Sequence, residues 1–237
     1  MNEIIWITGG SSGIGFALGM RLAALGHAVA ISGRDESKLA NAARLIHERT
    51  KESLFWIKCD VTSEREIAHA HQLIVEHFAG DISMLIISAG VSPFPSFSET
   101  SVEEFDTVIR TNLIGAFLVA KAVLPAMYHA NRGAVVSMLS IASEKAFKGG
   151  AAYVASKFAL RGFTDSLREE ARKHNVRVIG VLPGATGTEL WDEASRKEFH
   201  DRMMQPEDIA EIILAALKTP ERALVEEIRI RPIGGDL

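Results

Sequence analysis

Ile4-Ile5-Trp6-Ile7-Thr8-Gly9-Gly10-Ser11-Ser12-Gly13-Ile14-Gly15 decides how this chain is read. Five apolar or β-favouring residues read as a buried strand, and a glycine-rich turn follows at once. Gly13 and Gly15 fall where strand hands over to helix. Without a Cβ the backbone there turns tightly and approaches a pyrophosphate at the helix N-terminus, where aligned amides bind the anion. The plain alternative is a tight turn that holds no ligand. A P-loop is excluded, because no Gly-Lys-Ser/Thr ending follows.

Working outward, short apolar runs alternate with longer amphipathic ones along all 237 residues. That pattern predicts parallel strands joined by crossover helices in one dinucleotide-binding domain, 1–237. Strands are expected near 4–8, 28–32, 54–58, 84–88, 134–139, 176–182 and 225–230. Their near-continuous Val, Ile and Leu content fits a sheet buried on both faces. Helices are expected over 13–25, 36–50, 64–77, 102–129, 151–174 and 206–217. Stretches 91–98 and 187–204 read as surface loops, the second as a substrate lid.

Lys plus Arg number 26 against 30 Asp plus Glu, a formal net charge of −4, with no basic patch to suit a nucleic acid. The single cysteine, Cys59, lies in an apolar run and reads as a buried, inert thiol. No leader pattern and no uninterrupted apolar run of membrane-spanning length is apparent, so a cytoplasmic setting without membrane contact is the default. The eight histidines do not cluster at ligand spacing, and no metal is expected.

At the end of the second strand an NAD-selective site would place an acid on the ribose 2′-hydroxyl, about 20 residues beyond the glycines. Gly33 and Arg34 stand there instead. A guanidinium with no opposing carboxylate favours a 2′-phosphate, hence NADP over NAD. The competing view is that Arg34 caps a loop, its charge tied up by Asp35.

Tyr153 and Lys157 lie four residues apart, on one face of a predicted helix, and Ser140 precedes the tyrosine by thirteen. A cation beside a phenol favours the phenolate and eases proton transfer. Singly, each residue has an ordinary reading: a packed aromatic, a solvated lysine, a strand-end serine. Beside a nucleotide turn they fit one acid/base mechanism.

These residues, in this order, resemble the short-chain dehydrogenase/reductase family nearly from end to end. Thr8-Gly9-Gly10-Ser11-Ser12-Gly13-Ile14-Gly15 is similar to its Thr-Gly-x-x-x-Gly-x-Gly element, and Ser140, Tyr153 and Lys157 to its catalytic set. Asn112 matches the family's helix asparagine, Asp60-Val61 the residues that flank adenine, and Pro183-Gly184 with Thr188 the Pro-Gly-x-x-x-Thr element along the nicotinamide. Where the family usually has Asn-x-Ala-Gly, this chain reads Ile87-Ser88-Ala89-Gly90, and the Ser88 hydroxyl is the expected substitute for the missing amide.

The resemblance implies a Rossmann-type, doubly wound three-layer α/β sandwich with seven parallel strands in the order 3-2-1-4-5-6-7. It implies NADP(H)-dependent hydride transfer between nicotinamide and a ketone or secondary alcohol, with reduction of a small or medium ketone or a 3-oxoacyl group as the expected direction. Tyr153 would exchange the proton, Lys157 lower its pKa, Ser140 bond the substrate oxygen, and Asn112 hold a water joining Lys157 to solvent. Gly9, Ser11, Ser12, Ile14, Ala89, Gly90, Gly184 and Thr186 complete the cofactor set. For Thr186 and Thr188 a helix N-cap before Glu189 competes with carboxamide contact. Phe94, Phe97, Phe147, Leu190, Trp191, Phe199 and Met203 suggest an apolar pocket, while Lys145, Lys148, Arg196 and Lys197 suit an anionic tail. A homodimer or homotetramer through 102–129 and 151–174 is implied. NAD-linked alcohol or hydroxy-acid oxidation and an idle NADP-binding sensor remain as alternatives.

Overall fold

The computed structural model describes residues 3–220 and 222–237. Ile4–Thr8 forms β1, and its period-2 side chains go to both faces of the sheet: Ile5 and Ile7 to one, Trp6 to the other. The remaining strands are Ala28–Gly33 (β2), Phe55–Lys58 (β3), Met84–Ile87 (β4), Gly133–Met138 (β5), Val176–Pro183 (β6) and Glu227–Ile230 (β7). Among the described residues they make one parallel sheet ordered β3-β2-β1-β4-β5-β6-β7. Each expected strand exists within one or two residues of its expected bounds.

Gly13–Ala24 (α1), Glu36–Thr50 (α2) and Pro206–Leu217 (α8) cover one face. Glu64–Phe78 (α3), Gly115–Ala130 (α5) and Ala151–Arg172 (α6) cover the other, giving three layers. Strand order reverses at β1, whose neighbours are β2 and β4, so a crevice opens beyond their carboxyl ends.

The expected helix 102–129 is not one regular helix. Val102–Ile109 (α4) runs into a π-turn, Arg110–Ile114, before α5, and the Gly115 amide bonds the Arg110 carbonyl five residues back. The π-turn rotates Asn112 into the protein, where it is 1% exposed. The combined stretch 102–130 is long and apolar enough to cross a membrane by length and composition, although charged residues interrupt it. Here Val119, Ala120, Val123 and Met127 pack into the sheet core instead.

Stretch 187–204 contains a short helix, Glu193–Glu198 (α7), capped by Asp192, and a 3₁₀ turn at His200–Arg202. Its two ends are stapled by main-chain bonds, Gly187 N to Met204 O (2.9 Å) and Met204 N to Ala185 O (3.0 Å).

Candidate active site

A cavity of about 1780 Å³ runs along the carboxyl ends of the strands. At its phosphate end lie Gly9, Ser11, Ser12, Gly13 and Ile14; Gly15 sits one step behind, buried. Gly13 has φ +56°, a conformation that favours glycine, and a Cβ there would meet Thr188 at 3.1 Å. A Cβ at Gly15 would come 2.5 Å from the Gly9 carbonyl, so this turn closes only on a bare backbone.

The N-terminus of α1 carries no side-chain cap, whereas Asp35, Ser63 and Ser101 cap α2, α3 and α4. First-turn amides have no intrahelical partner, and here they border a cavity fit for an anion. On the donor set and the space available, the site fits a dinucleotide.

At the adenosine end the Asp35 carboxyl accepts from the Ser37 hydroxyl (2.6 Å) and from the Ser37 and Lys38 amides. The Ser37 hydroxyl bond, chiefly, holds it below the usual carboxylate range. Asp35 is thus spent on capping α2, and among the described residues no hydrogen bond or ion pair engages Arg34. Two further cations, which the sequence reading missed, line the same end. Lys38, in the first turn of α2, lies four residues after Arg34 and pairs with Glu189 at 2.7 Å. Lys58 ends β3 in register with Gly33 on β2. Nearness of Lys38 to Arg34 in the chain was a readable signal; the β2–β3 register was not. Asp60 and Val61 line this part too, Asp60 accepting from the Thr62 amide and hydroxyl.

Beyond the phosphate turn, Ala89 and Gly90 line the cavity. The Thr8 hydroxyl accepts from the Ser88 and Ala89 amides at 3.2 and 3.3 Å. Among the described residues the Ser88 hydroxyl has no partner, so the expected substitution by Ser88 is corrected: β1, not β4, supplies the oxygen.

Ser140, Tyr153 and Lys157 converge from the β5 end and α6, exposed only 8%, 8% and 6%. Ser140 caps a 3₁₀ turn, Ile141–Ser143, by accepting from the Ala142 amide at 3.1 Å, and its hydroxyl bonds the Tyr153 phenol. Burial pushes the Tyr153 pKa up, and Ser140 pulls against that rise. Lys157 donates to the Met138 carbonyl at 2.7 Å, with Nζ 5.7 Å from the Tyr153 ring centroid. Burial lowers its pKa to about 8. Spacing alone predicts that Lys157 acidifies the phenol; in the protein by itself burial of both groups dominates.

Asn112 does not line the cavity. Its Oδ1 accepts from the Val91 amide (2.8 Å), and its Nδ2 donates to the Val91 carbonyl (2.9 Å) and to Ser156 Oγ (3.0 Å). Ser156, in turn, donates to the Tyr153 carbonyl at 2.7 Å. The side-chain amide ties the β4 exit to the tyrosine turn of α6, a link through Ser156 that spacing alone did not reveal.

Pro183, Gly184, Thr186 and Thr188 line the far wall. No helix begins at Glu189, so the N-cap reading of Thr186 and Thr188 falls: Thr186 Oγ1 donates to the Gly184 carbonyl, and Thr188 Oγ1 accepts from Leu190 N. At the mouth Phe94 packs on Tyr153 (centroids 5.8 Å), Phe147 (5.9 Å) and Trp191 (6.2 Å). Leu190, Lys145 and Lys148 also line it. Phe97, Phe199, Met203, Arg196 and Lys197 do not. Asp236, unforeseen from sequence, lines the mouth and accepts from Lys145 at 3.0 Å. Among the described residues no group of His, Cys, Asp and Glu is fit for a metal. Cys59 is buried beside the cavity, its thiol pushed up to about 12 chiefly by burial.

A family model described as short chain dehydrogenase matches residues 3–198. The chain belongs to the short-chain dehydrogenase family. A relative named sepiapterin reductase, from Chlorobaculum tepidum, is 34% identical, covering 100% of this chain and 99% of that one. An uncharacterized oxidoreductase of Staphylococcus saprophyticus is 33% identical over 98% of each. Among solved structures, an alcohol dehydrogenase from Thermococcus sibiricus complexed with 5-hydroxy-NADP superposes with TM-score 0.88 at 27% identity, covering 98% and 97% of the two chains. A metagenomic short-chain oxidoreductase in complex with NADP gives 0.84 at 30%, covering 97% and 96%. This short-chain dehydrogenase therefore shares its whole length with relatives, not only the nucleotide turn.

Proposed function

We propose that this short-chain dehydrogenase is an NADP(H)-dependent reductase of ketones, working back to the secondary alcohol when the equilibrium demands it. The observation that carries this reading is the Tyr153 phenol, bonded to Ser140 and backed by Lys157, in a wall of the same cavity as the uncapped N-terminus of α1. Arg34 and Lys58, cations without partners among the described residues, support NADP(H), as do the NADP-bound neighbours.

When bound, the nicotinamide supplies hydride to the substrate carbon. Ser140 hydrogen-bonds the substrate oxygen and stabilises the charge growing there. Tyr153 gives its proton to that oxygen as general acid. Lys157 stabilises the resulting phenolate by its charge. Asn112 is a positioning residue, holding the tyrosine turn through Ser156. Stretch 187–204 acts as a lid hinged on the Gly187–Met204 staple, excluding water from the reacting atoms.

The apolar mouth suits a ketone of small or medium size, or a 3-oxoacyl group. A second reading, reduction of sepiapterin, is favoured by the Phe94–Trp191–Tyr153 ring cluster and by the 34% identical relative of that name. Exposed Phe117 and Phe158, on α5 and α6, support self-association through these helices. The test is absorbance loss of NADPH and NADH against a ketone panel that includes sepiapterin, with Tyr153→Phe as control. Turnover that needs NADPH and the phenol supports the reading. Equal turnover by Tyr153→Phe on every active substrate removes it.

A further inference from the structure

We propose that Lys38 is a ligand for the cofactor's 2′-phosphate, and that Glu189, at the root of the lid, competes with that phosphate for it. The inference rests on the NADP(H) reading above.

Lys38 lies in the first turn of α2 and gives its backbone amide to Asp35, while its ammonium reaches across to Glu189 Oε2 at 2.7 Å. Both side chains are about half exposed and both line the cavity. They come from segments 151 positions apart in the chain. Lys38 belongs to the segment that follows β2 and lines the same cavity as the unpartnered Arg34, four residues before it, and Lys58, which is in register with Gly33. Glu189 follows Thr188, which packs within reach of Gly13, and Gly187, which is stapled to Met204. One ammonium, held by Glu189 in the protein by itself, therefore lines the same cavity as two unpartnered cations that suit a phosphate.

An exposed ion pair is worth about 0.2–1 kcal/mol and is readily exchanged. A phosphomonoester carries nearly two charges and three acceptor oxygens, against one charge on a carboxylate. NADP(H) can thus take Lys38 from Glu189, whereas NAD(H), with a hydroxyl at that ribose position, leaves the pair intact. Glu189 then weakens NADP(H) binding by the strength of the pair and leaves NAD(H) binding alone. Cofactor choice and the anchoring of the lid root become linked through one side chain.

The test is calorimetric affinity for NADP⁺, NAD⁺ and 2′,5′-ADP, measured at low salt with wild type, Glu189→Gln, Lys38→Gln and the double variant. Both positions are half exposed, and a thermal melt confirms folding. Glu189→Gln is expected to tighten NADP⁺ and 2′,5′-ADP about 2- to 5-fold and leave NAD⁺ unchanged. Lys38→Gln is expected to weaken NADP⁺ and to cancel the gain from Glu189→Gln. If wild type prefers NADP⁺ but Glu189→Gln binds it no tighter, the competition is overturned. A gain that persists undiminished in the Lys38→Gln background overturns it too, because bare charge removal then explains the effect. If wild type binds NAD⁺ at least as well as NADP⁺ and ignores 2′,5′-ADP, the underlying cofactor reading fails with it.

Discussion

Lys157 donates its ammonium to the Met138 carbonyl at 2.7 Å while standing 5.7 Å from the centre of the Tyr153 ring. One buried cation is therefore held by the last residue of β5 and aimed at a phenol one helical turn away. The carbonyl fixes the ammonium, and burial lowers its pKa to about 8, so the charge proposed to stabilise the phenolate is itself titratable close to neutrality.

The pH dependence follows. Lys157 loses its charge as pH rises through about 8, and with it the stabilisation of the phenolate. The kcat/KM for carbonyl reduction should hold below that pH and fall above it, and Lys157→Met should lose both the limb and most of the rate. A pH–rate profile checks this. The same residue bears on stability. Its folded pKa lies below the unfolded value of 10.5, so the cost of burying the charge is full below about 8 and is relieved as pH rises towards 10.5. Any Tm advantage of Lys157→Met over wild type should shrink across that window.

Ser140→Ala removes the one bond that pulls the Tyr153 pKa down against burial. Alcohol oxidation, which needs the phenolate, should have its rising limb moved to higher pH, and turnover should fall about 10²- to 10³-fold. An unmoved limb would assign Ser140 to turn capping alone.

Asn112→Ala leaves the half-buried Val91 amide and carbonyl without their partner, while Ser156 loses one of its two hydrogen bonds and keeps the one to the Tyr153 carbonyl. Each orphaned group costs about 1–3 kcal/mol, so chemical denaturation should show a loss of several kcal/mol. The variant should also lose kcat more than KM, since Ser156 holds the tyrosine turn.

Gly13→Ala places a side chain in a left-handed conformation and against Thr188. Strain of about 1–2 kcal/mol should lower Tm slightly, while NADP(H) affinity falls about tenfold or more through displacement of the turn. Titration of cofactor fluorescence measures it.

Arg34→Ala should weaken NADP(H) about tenfold, the worth of a charge-assisted bond, and leave NAD(H) nearly unchanged. Parallel weakening of both would mean that Arg34 serves the loop rather than the 2′-phosphate.

Local chemistry is what the sequence by itself determined. A strand that runs into Gly9-Gly10 and a helix that begins at Gly13 follow from neighbouring residues, as does the Tyr153/Lys157 spacing, because periodicity and the lack of a Cβ act within a few residues. Alternating apolar runs likewise implied a parallel sheet buried on both faces. The tertiary structure decided what depends on pairing between distant segments. Lys58 meets the cofactor end only through its register with Gly33, and Lys38 finds Glu189 across 151 positions of chain. Thr8, not Ser88, steadies the β4 edge because β1 is its neighbour in the sheet. The π-turn turns Asn112 inward to Val91 and Ser156, and burial, a property of the whole packed chain, raises the Tyr153 pKa and lowers that of Lys157. Spacing along a helix can name an acid and its cation, but the dielectric around them exists only once the sheet and its helices have closed.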